Sequence, residues 1–326
     1  MARLSGNPVS DYFQWPSGIS LQIQCAGFPR SLHHEIGAFK CLTPSAKTAD
    51  ARVVFCKKKE DLPAAGETLR GRYKGLPWQI VCPQTDKGAP GYFFYAPFFS
   101  VFLFVRTCLI PILKKITIER GGFFLIGSAF SFRETVFILF GKPGSGKTRL
   151  LLDMLDAGGK ILGDSELMLT ADQKVFPAFP YVEARLKTLY GSSCWTSLRL
   201  RDKAYLWFCH ILSLLSLRRI SFNLLLNSAD NPWMIPAASP GSFSRCLVLQ
   251  LRQDLTGVGS LSPEDFWGAV EAYETSYQRS FGKGIYTPQL RELGLSQLKR
   301  LLAGASFGRS ASGQTAHDFL QQEIKK

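Results

Sequence analysis

The stretch TVFILFGKPGSGKTRLLLDMLDAGGKILGDSELML, residues 135–169, decides the fold. Its first six residues, TVFILF, contain an uninterrupted run of five apolar side chains, which is typical of a β-strand buried on both faces. After the glycine-rich segment 141–148, four apolar residues recur at helical spacing: Leu150, Leu151, Met154 and Leu155. Gly158 or Gly159 ends this helix, and 160–169 predicts the next strand. The order of strand, glycine loop, helix and strand predicts a βαβ-like unit, and therefore an α/β fold with a mixed sheet.

The segment GKPGSGKT at 141–148 fits the pattern GxxxxGK[ST], which binds phosphates. Its glycines let backbone N–H groups approach a phosphate, and the N-terminus of the following helix adds positive potential. The Lys147 ammonium reaches the β- and γ-phosphates, and the Thr148 hydroxyl ligates Mg²⁺. We predict that ATP and Mg²⁺ bind along the loop at Gly141, Lys142, Pro143, Gly144, Ser145, Gly146, Lys147 and Thr148. The alternative is a glycine-rich turn without a ligand.

Asp164 lies 17 residues after Lys147, on the predicted strand 160–169. An acid at this place can hold Mg²⁺, directly or through water, or accept a proton from an incoming hydroxyl. We predict Asp164 and Lys147 as catalytic residues, and Thr148 and Asp164 as the metal ligands. Glu166 alternates with Asp164 on one strand face and is a weaker second candidate. The alternative for Asp164 is a turn-forming residue at the end of a strand.

Together with VFPAFP at 175–180, the stretch resembles the catalytic domain of the HPr serine kinase/phosphorylase family, which is itself similar to phosphoenolpyruvate carboxykinase. The shared features are a P-loop helix that ends in a glycine turn, a strand with paired acids, and a PFP-like stretch. Asp164 stands at the place of the first acid. The upstream run FFLIGSAF at 123–130 is similar to the family's LHAS-type strand. The resemblance is specific over 121–180, continues thinly to about residue 280, and is vague over 1–115.

The resemblance implies a P-loop kinase fold like that of phosphoenolpyruvate carboxykinase. It also implies phosphoryl transfer from ATP–Mg²⁺ to a hydroxyl of a protein or small-molecule acceptor, with Asp164 as the base. Two positions depart from the family pattern: Ser165 stands for the second acid, and Ile126 for a histidine. Both departures bear on the phosphorylase half-reaction, so a catalytically weak nucleotide-binding regulatory protein is the alternative function. Glu183 is a candidate for the signature acid after the PFP-like stretch.

The region 1–115 is predicted to be a β-rich N-terminal domain that ends in an apolar helix. Three strand-like runs, at 19–26, 51–56 and 76–82, alternate with stretches rich in Gly, Pro and Asp. The apolar stretch 92–113 is interrupted by Arg106 and two prolines, and its unbroken part is shorter than the ~20 apolar residues of a spanning helix.

For this apolar stretch we predict a buried helix that begins near Pro97 and is closed by Lys114 and Lys115. The alternative is a membrane-inserted segment, which motivates a peripheral membrane protein as a third candidate function.

The region 116–305 is predicted to be the nucleotide-binding domain, and 306–326 a flexible tail. Further strands are predicted at 116–119, 123–130, 220–226 and 246–251, and helices at 203–219, 262–279 and 287–302. The helix 203–219 is expected in the core, because it is too short for a membrane span. Arg252 is a weaker candidate for a phosphate contact.

The net charge of +14 favours anionic partners, which fits a nucleotide. The eight cysteines lack the spacing of zinc ligands or of a disulfide framework, and the N-terminus lacks the apolar core of a secretory signal, so a cytoplasmic protein is expected. We expect no nucleic-acid partner, and the resemblance makes a homo-oligomer a possible state. The acceptor is not readable from the sequence.

Overall fold

The computed structural model describes residues 9–25, 32, 36–41, 49–73, 75–83, 88–97, 101–133, 135–142, 144–190, 192–215, 224–227, 241–242, 246–251, 258–281, 284–310, 318 and 320. Its fold is mixed α/β, with parallel and antiparallel strands in the same sheets. The chain forms two units. The first joins residues 1–124 to 270–299, and the second joins 125–269 to 300–326. Each unit is therefore built from two separate segments of the chain. The sequence analysis instead predicted domains that each consist of one continuous segment, 1–115 and 116–305.

A seven-stranded mixed sheet is the frame of the first unit. Its strands are β1 (Val9–Gln14), β2 (Ser20–Cys25), β3 (Lys40–Cys41), β4 (Ala51–Cys56), β5 (Glu67–Tyr73), β6 (Leu76–Cys82) and β7 (Gly91–Tyr95). They lie in the order β3-β1-β2-β4-β7-β6-β5, with β4 parallel to both β2 and β7. Two short 3₁₀ helices, Gly37–Phe39 and Lys59–Asp61, lie between strands. The strands predicted at 19–26, 51–56 and 76–82 are confirmed as β2, β4 and β6.

The apolar stretch 92–113 contains both a strand and a helix. Its first residues belong to β7, and the helix is described from Val101 onward. The helix comprises α1 (Val101–Phe104), a π-helical segment (Val105–Leu109) and α2 (Ile110–Glu119). Most of its side chains are buried. The strand predicted at 116–119 is therefore wrong: Ile116 and Ile118 are buried helical residues, and this packing outweighs their β propensity.

Lys114 does not close the helix as predicted, because its side chain is fully buried in the middle of α2. Its ammonium lies 2.7 and 2.6 Å from the two carboxylate oxygens of Glu274, and Tyr286 donates a hydrogen bond of 2.7 Å to the same carboxylate. The ammonium also lies 4.3 Å from the ring centre of Tyr277 and 4.8 Å from that of Tyr286. A buried charge is tolerated when it is paired in this way.

Strand β8 (Phe123–Ile126) contains the boundary between the units at residues 124 and 125. The second unit contains the following strands: β9 (Ser128–Phe132), β10 (Thr135–Gly141), β11 (Lys160–Gly163), β12 (Glu166–Leu169), β13 (Lys174–Pro177), β14 (Tyr181–Ala184), β15 (Leu224–Asn227), β16 (Gly241–Ser242), β17 (Cys246–Leu251), β18 (Val258–Ser260) and β19 (Ser306–Ser310). With β8 they form two larger sheets and one pair. Six of them form the order β11-β9-β10-β17-β19-β18, and four form the order β16-β13-β12-β8. Strands β14 and β15 pair with each other.

Its helices are α3 (Lys147–Asp156), α4 (Leu186–Leu189), α5 (Ser193–Ser197) and α6 (Leu200–Leu215). Two longer helices each contain a boundary between the units. The boundary in α7 (Pro263–Phe281) lies between residues 269 and 270, and that in α8 (Pro288–Leu301) between residues 299 and 300.

The βαβ-like pattern around residue 141 appears with one strand inserted. Strand β9 is antiparallel to both β10 and β11, so β10 and β11 are parallel with β9 between them. Helix α3 packs Leu150, Leu151 and Met154 into the core below. At the other side of β10, β17 is a parallel neighbour.

The last strand, β19, lies between β17 and β18, although composition predicts a flexible tail from residue 306.

Helix α6 is not the core helix that was predicted at 203–219. Leu206 and Cys209 are its only fully buried residues, whereas Trp207, Phe208 and Ile211 are exposed. The prediction failed because an apolar sequence indicates that a helix has an apolar face. It does not indicate whether that face packs on the core of the same chain. Residues 216–219 lie outside the described residues.

Within the described part of the chain, none of the helices is both long enough and apolar enough to cross a membrane.

Candidate functional site

The loop between β10 and α3 follows a path that requires glycine. Gly141, Gly144 and Gly146 have φ angles of 153°, 84° and 97°, which residues with a side chain rarely adopt. A Cβ atom on Gly141 would also lie 2.5 Å from the backbone oxygen of Leu251 on the neighbouring strand. The backbone conformation of this loop therefore requires glycine at these positions, which include both glycines of the GxxxxGK[ST] pattern. Pro143 lies outside the described residues.

Lys147 bends back over this loop. Its ammonium donates hydrogen bonds to the backbone oxygens of Gly141, at 2.7 Å, and Lys142, at 3.1 Å. Burial lowers the pKa of Lys147, and the nearby Asp164 carboxylate partly offsets this effect. Ser145 Oγ is buried beside the loop and has no hydrogen-bond partner among the described residues. The loop thus presents a desolvated cation and an unused hydroxyl, a combination that suits an anionic ligand.

Asp164 lies between β11 and β12 and accepts hydrogen bonds from three other elements. Ser128 Oγ donates to Oδ1 at 2.5 Å, Thr148 Oγ1 donates to Oδ2 at 3.1 Å, and the backbone N–H of Glu183 donates to Oδ2 at 3.2 Å. The predicted metal ligands Thr148 and Asp164 are therefore in direct contact. The loop helix α3 and the strand that follows it meet at this carboxylate.

The environment of Asp164 disfavours its charged form. Burial raises the pKa of this carboxyl, and the charge of Glu183 raises it further. The hydrogen bonds from Ser128 and Thr148 and the charge of Lys147 act in the opposite direction. Strong opposing influences on one buried carboxyl in contact with a phosphate-loop motif are typical of a functional site.

The chain turns sharply at Ser165, the position where the family pattern has a second acid. Ser165 has a φ of 68°, and the N–H of Glu166 donates to the backbone oxygen of Asp164 at 2.8 Å, which closes a three-residue turn. The turn splits the predicted strand 160–169 into β11 and β12. The prediction that Asp164 and Glu166 share one strand face is therefore wrong, because Asp164 lies in the turn and Glu166 begins β12.

Backbone contacts connect this turn to the strand that resembles the LHAS type. The N–H of Gly127 donates to the backbone oxygen of Ser165 at 3.1 Å. A Cβ atom on Gly127 would lie 2.7 Å from the backbone oxygen of Leu139, so a glycine separates β8 from β9 here. Ile126, at the place of the family's histidine, is the last residue of β8 and supplies no ionisable group.

The sequence gave little or no indication of two residues that contact Asp164. Ser128 is a fully buried hydroxyl and the one polar side chain in the apolar run 123–130, which was a usable signal. Glu183 was only a candidate, and the structure places its backbone against Asp164 through β14, a position that sequence spacing does not reveal. Arg252 lies outside the described residues.

The described residues contain no group of three or more His, Cys, Asp or Glu side chains suited to bind a metal ion. The pair Thr148 and Asp164 offers one hydroxyl and one carboxylate. Such a pair can hold Mg²⁺, an ion that usually takes one or two protein ligands together with substrate phosphates and water.

No protein-family model matches this chain, and no curated protein sequence is significantly similar to it.

Proposed function

We propose that this protein is an ATP-binding phosphotransferase with a P-loop kinase domain like those of HPr serine kinase and phosphoenolpyruvate carboxykinase. The observation that carries the proposal is the contact between Thr148, the last residue of the GxxxxGK[ST] motif, and Asp164 on the next part of the chain. The mixed sheet around β10, with α3 packed against it, supports a fold of this kind.

The residues fit ATP and Mg²⁺ by the chemistry of their donors. Loop amides, the Lys147 ammonium and the buried Ser145 hydroxyl would bind phosphate oxygens. Thr148 and Asp164 would hold Mg²⁺, because this ion prefers hard oxygen ligands. When bound, Mg²⁺ supplies positive charge that neutralises the phosphates during transfer.

The protein side chains then position groups and hold protons. Lys147 stabilises negative charge at the phosphate that moves, and its partial burial strengthens that interaction. Asp164 accepts the proton of an acceptor hydroxyl or orients it, and its raised pKa brings its basicity closer to neutral pH. Ser128 and the Glu183 backbone hold this carboxylate in place. The acceptor is a hydroxyl of a protein or a small molecule.

The variant Lys147→Ala tests the loop directly. We expect its affinity for ATP–Mg²⁺ to fall about tenfold or more, and any transfer rate to fall about 10²–10³-fold, because the main cation of the loop is lost. Binding by titration calorimetry gives the first value. Lys160→Ala is the matched control, since it removes an exposed lysine of the same unit at the start of β11. Equal ATP affinity in wild type and Lys147→Ala would refute the assignment.

Ser165 and Ile126 favour a second candidate, a nucleotide-binding regulatory protein with weak catalysis. Neither residue supplies the ionisable group of the family pattern, and Ser165 forms a turn instead. Incubation with γ-³²P-labelled ATP and a set of acceptors separates the two functions. Label in an acceptor supports the kinase, whereas binding with release of label only to water at the background rate supports the regulatory protein.

A further inference from the structure

Helix α6 turns its most apolar side to the solvent. At about 100° per residue, seven of its residues fall on one arc of about 120°, opposite the buried pair Leu206 and Cys209. We call these residues the outer arc: Leu200, Ala204, Trp207, Phe208, Ile211, Leu214 and Leu215. All are exposed, Phe208 to 58% and Leu215 to 75%. Scattered exposed apolar residues are ordinary on a protein surface, but a contiguous apolar patch of this kind marks an interaction site.

The aromatic surface continues beyond the helix. Tyr190, at the end of α4, is 61% exposed, and its ring centre lies 6.5 Å from that of Trp207 and 5.5 Å from that of Trp195. The backbone oxygen of Tyr190 accepts a hydrogen bond from Arg149, the residue after Thr148. The outer arc therefore adjoins the first turn of α3, which carries the phosphate loop.

Basic residues border the outer arc at the start of the helix. They are Arg199, Arg201 and Lys203. The one acid in 199–219, Asp202, lies near the packed side of the helix and pairs with Arg201 at 3.5 Å. The apolar surface is thus flanked by cations and offers no acid of its own, on a chain with a net charge of +14.

The charge pattern distinguishes two binding partners for the outer arc, a second copy of the chain and a lipid surface. If two copies paired their outer arcs, a parallel arrangement would bring the same cationic ends together. The parallel arrangement is therefore repulsive. An antiparallel arrangement would separate these ends, but the outer arc of the other copy offers their cations no acid. An anionic lipid surface complements the cations and accepts the apolar side chains, and a helix with Trp, Phe and Leu on one side and flanking basic residues is typical of helices that lie in the membrane interface.

We propose that α6 is an interfacial membrane anchor. Its outer arc enters the boundary between lipid headgroups and acyl chains, and the flanking cations bind the phosphates of anionic headgroups. The helix is 16 residues long, or about 24 Å, so it lies along the surface without spanning the bilayer. The anchor stands independently of the nucleotide site, since it rests on the exposure and charge of α6 alone.

Vesicle flotation of the full chain tests the anchor. We expect the protein to float with vesicles of phosphatidylcholine and phosphatidylglycerol at low salt, and to bind less at high salt because the cations are screened. The double variant Phe208→Glu and Ile211→Glu should lower the partition coefficient about tenfold or more, since it places charge on the buried side of the anchor. The matched control is Leu293→Glu on α8, a leucine that is 44% exposed outside the outer arc, and it should bind like wild type.

A second variant separates charge from apolar insertion. Removing two flanking cations with Arg199→Gln and Arg201→Gln should weaken binding to anionic vesicles by about fivefold per charge and leave weak binding to pure phosphatidylcholine unchanged. All the replaced side chains are exposed, and an unchanged circular dichroism spectrum verifies the fold of each variant.

Absence of flotation with anionic vesicles at low salt would overturn the proposal. Equal flotation of wild type and the Phe208→Glu, Ile211→Glu double variant would overturn it as well. A dimer in light scattering that this double variant dissociates, with no vesicle binding, would assign the surface to a second copy of the chain instead.

Discussion

Asp164 is the residue on which the candidate site converges. A buried carboxylate is expensive in free energy unless donors surround it, and here Ser128, Thr148 and the Glu183 backbone each supply one. These donors come from a strand, a helix and a second strand. The carboxylate thus ties together the elements around the loop, and its charge state is coupled to the shape of the site.

The pH dependence that we expect for the proposed nucleotide binding follows from this environment. Because burial and Glu183 raise the pKa of Asp164, its carboxylate is protonated at a higher pH than an ordinary aspartate. We expect the Mg²⁺-dependent part of ATP binding to be complete above that pKa and to be lost as the pH falls through it. Glu183→Gln removes one of the charges that raise the pKa, so the loss should move to lower pH.

Titration calorimetry with ATP, with and without Mg²⁺, between pH 4 and 8 measures this shift. Glu264→Gln, which neutralises an exposed acid in the first turn of α7, is the control and should leave the acid limb in place. An unchanged limb in Glu183→Gln would mean that Asp164 does not control the binding.

At the scale of elements, the proposed phosphate loop at 141–148 depends on its backbone conformation as much as on its side chains. Gly141 is constrained twice, by its φ of 153° and by the nearby Leu251 oxygen of β17. Gly158, at the end of α3, also has a positive φ, of 91°, but nothing lies within 4 Å of its missing Cβ. The two glycines form a natural pair for experiment.

We predict that Gly141→Ala lowers the free energy of unfolding by about 3 kcal/mol and abolishes ATP binding, because a steric clash adds to backbone strain. Gly158→Ala should cost only about 1 kcal/mol, from its left-handed backbone alone, and should keep ATP affinity. Urea unfolding measures the first quantity and titration calorimetry the second. Equal destabilisation by the two variants would contradict the role of the Leu251 contact.

The elements that local pattern dictates were predictable. Strand β10 is a continuous apolar run, the loop is marked by its glycines, and α3 by its apolar spacing. The turn at Ser165 was not predictable from the sequence. A serine rarely has a positive φ, so its presence does not indicate one as a glycine would. The helical state of 116–119 depends on tertiary burial, and so does the outward direction of α6.

The residues of the candidate site also divide into those that local sequence predicts and those that only the folded structure brings together. The motif predicted Lys147 and Thr148, and the position of an acid on the strand after the loop helix predicted Asp164. Ser128 and Glu183 reach Asp164 only after three-dimensional folding, across 36 and 19 residues of chain.

At the scale of the whole molecule, the first unit depends on a contact between distant parts of the chain. Lys114 and Glu274 are 160 residues apart and form a buried ion pair between α2 and α7. Tyr286 completes the cluster, and burial together with the adjacent carboxylate raises the pKa of its hydroxyl. The tyrosine therefore stays a neutral donor to Glu274.

We predict that Lys114→Met and Glu274→Gln each lower the free energy of unfolding by about 3 kcal/mol, because each leaves a partner buried without its counter-charge. The double variant should be little worse than either single one, with a coupling energy above about 1 kcal/mol. Urea unfolding of the four proteins measures the cycle. Strictly additive losses would show that the two side chains stabilise the unit separately.

Both units take segments from late in the chain, and this affects how the protein is made. Residues 270–299 complete the first unit, and Ser306–Ser310 fills a place inside the sheet of the second. The first unit cannot reach its final form before residue 299 has been synthesised, nor the second before residue 310. The first unit therefore cannot finish folding when residue 124 leaves the ribosome, and its apolar strands wait longer for their partners than those of a domain made from one continuous segment.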